Sequence, residues 1–178
     1  MKVLGIVGRK DSGKTHLVVR LVGELRARGL VVSTIKHTHH HDIEFDVPGK
    51  DSWRHRQAGA SEVIVASDRG WFLAHAAGPG PEARPPRLED LLARLAPCDV
   101  VLVEGYKGLT SHPRLEVHRP RDTQAPAPLA AADPGIVAVA SPPGARPAGC
   151  GPGTAWLDLD ATSAIADFLL ALPGRRDA

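Results

Sequence analysis

Eight residues near the N-terminus, Gly8-Arg9-Lys10-Asp11-Ser12-Gly13-Lys14-Thr15, carry the spacing G-x-x-x-x-G-K-[ST] of a loop that wraps phosphate. Such a loop needs glycine where the backbone curls with its N–H groups inward and a Cβ would meet phosphate oxygens, which assigns Gly8 and Gly13. Lys14 is expected to set its ammonium against the β- and γ-phosphates, and the Thr15 hydroxyl to ligate magnesium. Arg9, Lys10, Asp11 and Ser12 complete the cradle, and the N-terminus of a following helix adds partial positive charge. The bland alternative is a glycine turn that merely starts a helix. With glycine at about 7% of residues, the full spacing arises by chance in roughly one such chain in a hundred, before a flanking strand and helix are also required.

A phosphate loop of this kind works with an acidic residue near the metal, at the end of a neighbouring strand. Asp99-Val100-Val101-Leu102-Val103-Glu104-Gly105 offers two. At about 3.3 Å of rise per residue, Asp99 and Glu104 lie roughly 16 Å apart, and ligands bind beyond the carboxyl ends of parallel strands. Glu104 is therefore the expected metal and catalytic carboxylate, Lys14 is the second expected catalytic residue, and Asp99 marks the start of the strand.

The densest ionisable cluster is Lys36-His37-Thr38-His39-His40-His41-Asp42, followed by Glu44, Asp46 and Asp51. In an extended chain His37, His39 and His41 would share a face and could approach Zn²⁺ or Ni²⁺ together. Without a partnering cysteine or a helical H-x₃-H pair, a polar loop over a nucleotide is the preferred reading. There His37 and Lys50 are expected to contact the nucleotide and Asp51 the metal. Pro48-Gly49-Lys50-Asp51-Ser52 forces a turn and is expected to supply side-chain caps to the next helix. Arg54, His55 and Arg56 could hold an anion, or form a solvated helix face.

The elements that must position these residues follow from apolar patterning. Val3 to Val7 and Val100 to Val103 are short continuous apolar runs, as in strands covered on both faces. Leu17, Val18, Leu21, Val22 and Leu25 give helical spacing over Lys14 to Arg28, stopped by Gly29, and Val31 to Ile35 is the next strand. Asp51 to Ala58 reads as a short helix, and Glu62 to Ala66 with Trp71 to His75 as a hairpin. A helix is marked by Leu88, Leu91, Leu92 and Leu95, strands by Leu115 to His118 and Ile136 to Ala140, and a closing helix by Ala161 to Leu172. Gly78 to Pro86 and Pro142 to Gly153 read as loops. The expectation is a three-layer α/β fold of the P-loop NTPase type, with a mostly parallel sheet, an added antiparallel hairpin and one domain over residues 1–178.

Composition narrows the classes of partner. In 178 residues, 22 basic side chains balance 20 acidic ones with no basic block, which argues against nucleic acid. Two distant cysteines, Cys98 and Cys150, fit neither a disulfide scaffold nor a zinc ribbon and point to the reducing cytoplasm. The first apolar run is too short for a secretory leader, and no stretch reaches membrane-spanning length.

Several segments together resemble the MobB family, the molybdopterin-guanine dinucleotide biosynthesis protein B. They are Val7 to Thr15, Ile35 to Ser52 (IKHTHHHDIEFDVPGKDS), Arg56-Gln57-Ala58-Gly59-Ala60 running into Val65-Ala66-Ser67, and Leu102 to Lys107. The phosphate loop is shared by many families, whereas Lys36-His37-Thr38-His39 followed by Pro48-Gly49-Lys50-Asp51-Ser52 is far more specific. The resemblance covers mostly residues 3–108. It implies GTP with Mg²⁺, weak GTP hydrolysis, a homodimer, and assistance to the guanylyltransferase that joins GMP to molybdopterin or its molybdenum form. The additional histidine in His39 to His41 departs from the family pattern. No N-K-x-D guanine motif is present, so preference for GTP over ATP rests on the resemblance. Two other functions compete: a nickel metallochaperone GTPase, through the histidine cluster, and a small-molecule kinase, for which Arg84 and Arg87 are weak lid candidates. A binding module that uses nucleotide only as a ligand is a further reading.

Overall fold

The computed structural model describes residues 1–38, 46–75, 86–106, 111–120, 126–144 and 147–173. The histidine run His39 to His41, Arg84, Lys107 and most of the expected loop Gly78 to Pro86 lie outside the described residues. Two compact units are present, one formed by Met1–Thr38 with Leu88–Ala178, the other by His39–Arg87.

The first unit is built on six strands: β1 (Lys2–Val7), β2 (Val32–Lys36), β5 (Val100–Glu104), β6 (Arg114–Val117), β7 (Ile136–Ser141) and β8 (Ala155–Asp158). They are ordered β2-β5-β1-β6-β7-β8, and every neighbouring pair is parallel. Strands β1 and β5 lack polar alternation because both of their faces are covered. On one face Leu4, Ile6, Val100, Leu102, Leu115 and Ala138 pack under α1 (Lys14–Ala27) and α4 (Thr162–Ala171). Leu17, Val18, Leu21 and Leu25 are the buried stripe of α1, and each such leucine contributes about 1.5–3 kcal/mol of burial. Gly29, at φ 82, lets the chain leave α1 in the left-handed conformation. On the other face Val3, Val101 and Val103 meet α3 (Leu88–Leu92), and Val7, Ile136 and Val139 meet the 3₁₀ turn Leu129–Ala131. These are the three expected layers.

Boundaries move slightly. The second strand runs to Lys36 rather than Ile35, because pairing with β5 continues to Lys36 opposite Glu104. The strand β8 has no counterpart among the expected elements. It is four half-buried residues after a Pro- and Gly-rich stretch, held by the Trp156 indole N–H donating to Ser141 Oγ at 2.8 Å.

In the second unit, β3 (Glu62–Ser67) and β4 (Gly70–His75) form the expected antiparallel hairpin as a separate two-stranded sheet. It follows α2 (Asp51–Gln57), which ends before Gly59 at φ 102. The expected capping is corrected here: α2 has Lys50 at its N-cap and no side-chain cap, and the Ser52 hydroxyl instead donates to Asp46 Oδ1 at 2.9 Å. Asp46 Oδ1 also accepts from the Val47 N–H at 3.0 Å, so this carboxylate organises the Pro48-Gly49 turn.

Candidate functional site

Because β1 connects across β5 to β2 while β5 connects across β1 to β6, the two connections leave in opposite directions along the sheet. The carboxyl ends of β1 and β5 are thus a switch point, where α/β sheets open a crevice for ligand. The glycine loop leaves β1 at this crevice and Glu104 closes β5 beside it, with Ile6 in register with Glu104.

The loop is shaped by three left-handed residues, Gly8 at φ 147, Asp11 at φ 58 and Gly13 at φ 98. The two glycines are required for different reasons. A Cβ on Gly8 would sit 2.5 Å from the Val117 carbonyl oxygen and 2.8 Å from Ser12 Oγ, whereas one on Gly13 meets nothing within 4 Å. Packing against β6 excludes a side chain at the first position, and backbone conformation alone disfavours it at the second. Lys14 Nζ lies over the loop, donating to the carbonyls of Gly8 at 3.1 Å and Arg9 at 2.6 Å. Arg9 reaches away to the Ala127 carbonyl at 3.1 Å, and Lys10 and Asp11 are exposed. The Ser12 hydroxyl is buried with no hydrogen-bond partner among the described residues.

At the start of α1 the Thr15 hydroxyl donates to Glu104 Oε1 at 2.7 Å. Glu104 is buried, and its side chain is only 10% exposed. A carboxylate so placed needs charge compensation, and Lys36 supplies it: Nζ is 3.2 Å from Glu104 Oε1 and 3.3 Å from Thr15 Oγ1. Lys36 belongs to the histidine-rich run, yet its role was not legible there. The available signal was its place at the end of a strand, which parallel pairing converts into contact with the end of the next strand. His37 follows, donating its backbone N–H to the Glu104 carbonyl at 2.8 Å, with its ring tilted against Tyr106 at 4.7 Å between centroids. Gly105, at φ 89, permits that approach, since a Cβ there would lie 3.0 Å from the His37 carbonyl oxygen. Burial raises the Tyr106 phenol above its ordinary pKa. Asp99 lies at the other end of β5, accepting the Val31 N–H at 2.8 Å.

The arrangement fits a magnesium nucleotide. Hydroxyl and carboxylate oxygens are the hard donors magnesium takes. Adjacent ligands of an octahedral ion with bonds of about 2.0–2.1 Å stand about 2.9 Å apart, close to the observed Thr15–Glu104 separation. One cation, the Lys36 ammonium, already touches both oxygens. Lys14, Thr15, Glu104, His37 and the loop are brought together in the first unit, whereas Lys50 and Asp51 are exposed residues of the second, at the start of α2. Among the described residues no three His, Cys, Asp or Glu side chains converge on a metal position.

Residues 3–142 match the sequence model of the family described as Molybdopterin guanine dinucleotide synthesis protein B, MobB. The chain belongs to that family. It is 41% identical over 142 residues to a molybdopterin-guanine dinucleotide biosynthesis adapter protein of Haemophilus influenzae, covering 78% of this chain and 74% of that one. It is 40% identical over 107 residues to the Escherichia coli protein of the same description, 59% of each chain. The fold is also that of a crystal structure titled molybdopterin-guanine biosynthesis protein B, with TM-score 0.68, 26% identity, and 96% of this chain and 99% of that one covered. The MobB match takes in the loop, the Lys36 to Ser52 segment and Glu104 together, and runs past the initial resemblance to the end of β7.

Proposed function

We propose that this member of the MobB family is a GTP-binding accessory protein of molybdenum cofactor biosynthesis, assisting the guanylyltransferase that converts molybdopterin to its guanine dinucleotide form. The observation that carries the reading is the Thr15–Glu104 pair at the switch point beside a phosphate loop, in a chain whose relatives are named as adapters of that conversion. In this reading the backbone N–H groups of Gly8 to Thr15 and the helix N-terminus bind the triphosphate, and Lys14 turns its ammonium from the loop carbonyls to the β- and γ-phosphates. Thr15 and Glu104 hold Mg²⁺, which when bound supplies charge neutralisation of the phosphates. In the first unit, His37 is a further nucleotide contact. Hydrolysis is slow, with Lys14 and Glu104 as its catalytic residues, and the adapter role dominates.

A homodimer of cytoplasmic location completes the proposal, with neither nucleic acid nor membrane as partner. Self-association is supported by the hairpin, where Ile64, Trp71 and Phe72 are exposed apolar side chains. No helix among the described residues is long and apolar enough to cross a membrane. Calorimetric titration with GTP and ATP in Mg²⁺, on wild type and Lys14→Ala, tests the nucleotide assignment. GTP is expected to bind more tightly than ATP, and Lys14→Ala to lose at least about tenfold in affinity while unfolding like wild type, because a charged hydrogen bond to phosphate is worth about 1.5–3 kcal/mol. Wild-type affinity in Lys14→Ala would rule out the phosphate site.

A further inference from the structure

Lys36 and Glu104 are each the last residue of their strand, 68 positions apart in sequence and paired across β2 and β5. The Lys36 ammonium touches Glu104 Oε1 and Thr15 Oγ1, the two oxygens that fit magnesium. The partners differ in exposure: the Glu104 side chain is 10% exposed and that of Lys36 59%. A carboxylate that buried is costly to leave without a cation. The lysine stem is flexible and mostly in water, so its ammonium regains hydration when it withdraws. The cation can therefore be exchanged while the carboxylate stays in place.

We propose that Lys36 is a built-in counter-cation of the metal site, neutralising Glu104 and bracing Thr15 in the metal-free protein and giving way when Mg²⁺ takes the same two oxygens. This rests on the reading of Thr15 and Glu104 as magnesium ligands. Two consequences follow. In the absence of metal, the incoming triphosphate does not meet a bare carboxylate beside the loop. In the presence of metal, part of what Mg²⁺ would contribute has already been supplied by the lysine, so the gain in nucleotide affinity on adding magnesium is held down. Lys36 thereby sets how strongly nucleotide binding depends on the metal, as a positioning residue that acts through Glu104.

The test measures GTP affinity by calorimetry in EDTA and in saturating Mg²⁺ for wild type, Lys36→Met, Lys36→Arg, Glu104→Gln and the double variant Lys36→Met/Glu104→Gln. Thermal unfolding establishes that each is folded. Lys36→Met is expected to lose about tenfold in EDTA, a size between that of an exposed and a buried ion pair, and to remain within about twofold of wild type in Mg²⁺. Its magnesium gain thus exceeds the wild-type gain by about five- to tenfold. Lys36→Arg, which keeps a cation, is expected to stay close to wild type. In the Glu104→Gln background the methionine substitution is expected to change the EDTA affinity little, because no charge remains to be neutralised. A magnesium gain equal in wild type and Lys36→Met would overturn the proposal, as would a full loss in the Glu104→Gln background, which would mean that Lys36 acts on phosphate directly. Wild-type protein that binds GTP equally in EDTA and Mg²⁺ would instead remove the magnesium reading and the proposal with it.

Discussion

Replacing Gly8 by alanine puts a carbon where the structure has no space for one. The new Cβ falls 2.5 Å from the Val117 carbonyl oxygen, a backbone atom at the end of β6, and 2.8 Å from Ser12 Oγ. Ser12 can rotate, but the carbonyl belongs to a strand paired to β1 and β7. The loop or the strand end must therefore move by several tenths of an ångström, at about 1–3 kcal/mol for overpacking. Alanine at φ 147 adds about 1–3 kcal/mol of backbone strain. Together these come to about 2–6 kcal/mol, a fall in Tm of about 4–24 °C at about 2–4 °C per kcal/mol for a chain of this size. Gly13→Ala provides the comparison, since its Cβ meets nothing within 4 Å and only the φ of 98 is unfavourable. Its cost is about 1–3 kcal/mol. Thermal and urea unfolding of the two variants, with GTP titration, checks the ordering. Gly8→Ala should be the less stable and should bind nucleotide more weakly through a displaced loop. Equal destabilisation would refute the argument that contact with β6 dictates glycine at the first position.

Three further outcomes are expected. Glu104→Gln should reduce magnesium-dependent GTP hydrolysis at least about tenfold, and far more than it reduces nucleotide binding. Asp99→Asn, which can still accept the Val31 N–H at the other end of β5, should change hydrolysis little; steady-state rates of the two decide it. Tyr106 is the one tyrosine in the sequence, so its ionisation can be followed by ultraviolet absorbance. Burial favours the neutral phenol, so its midpoint in the folded protein should lie above that in denaturant. The associated stability is fully present below the unfolded pKa of about 10 and is lost as pH rises through the folded value. A midpoint equal in the two states would contradict the burial of the Tyr106 phenol. Trp71→Asp, at a 67% exposed hairpin position, should shift sedimentation from dimer towards monomer without lowering the unfolding temperature of the first unit.

The phosphate loop was legible because its chemistry is local. Eight consecutive residues with glycine at the turns, a strand before and a helix after specify the cradle whatever the rest of the chain does. The buried strands were legible for a related reason, since Val3 to Val7 and Val100 to Val103 are apolar at every position only if both faces are covered. The placement of Glu104 and Asp99 at opposite ends of β5 needed no more than strand length and direction. Strand β8 was hidden because four half-buried residues after a Pro- and Gly-rich stretch carry too little pattern, and pairing with β7 is what makes them a strand. The two glycines looked alike in the motif, yet only the approach of β6 separates a position without space from one with an unfavourable φ. Lys36 was one charge in a crowded polar run. Sheet order decided its role: with β5 inserted between β1 and β2, residues 68 positions apart end side by side, and a buried carboxylate takes the nearest cation as its partner. A linear sequence sets which side chains are available and in what local conformation, whereas distance between strand ends exists only after the strands have been ordered.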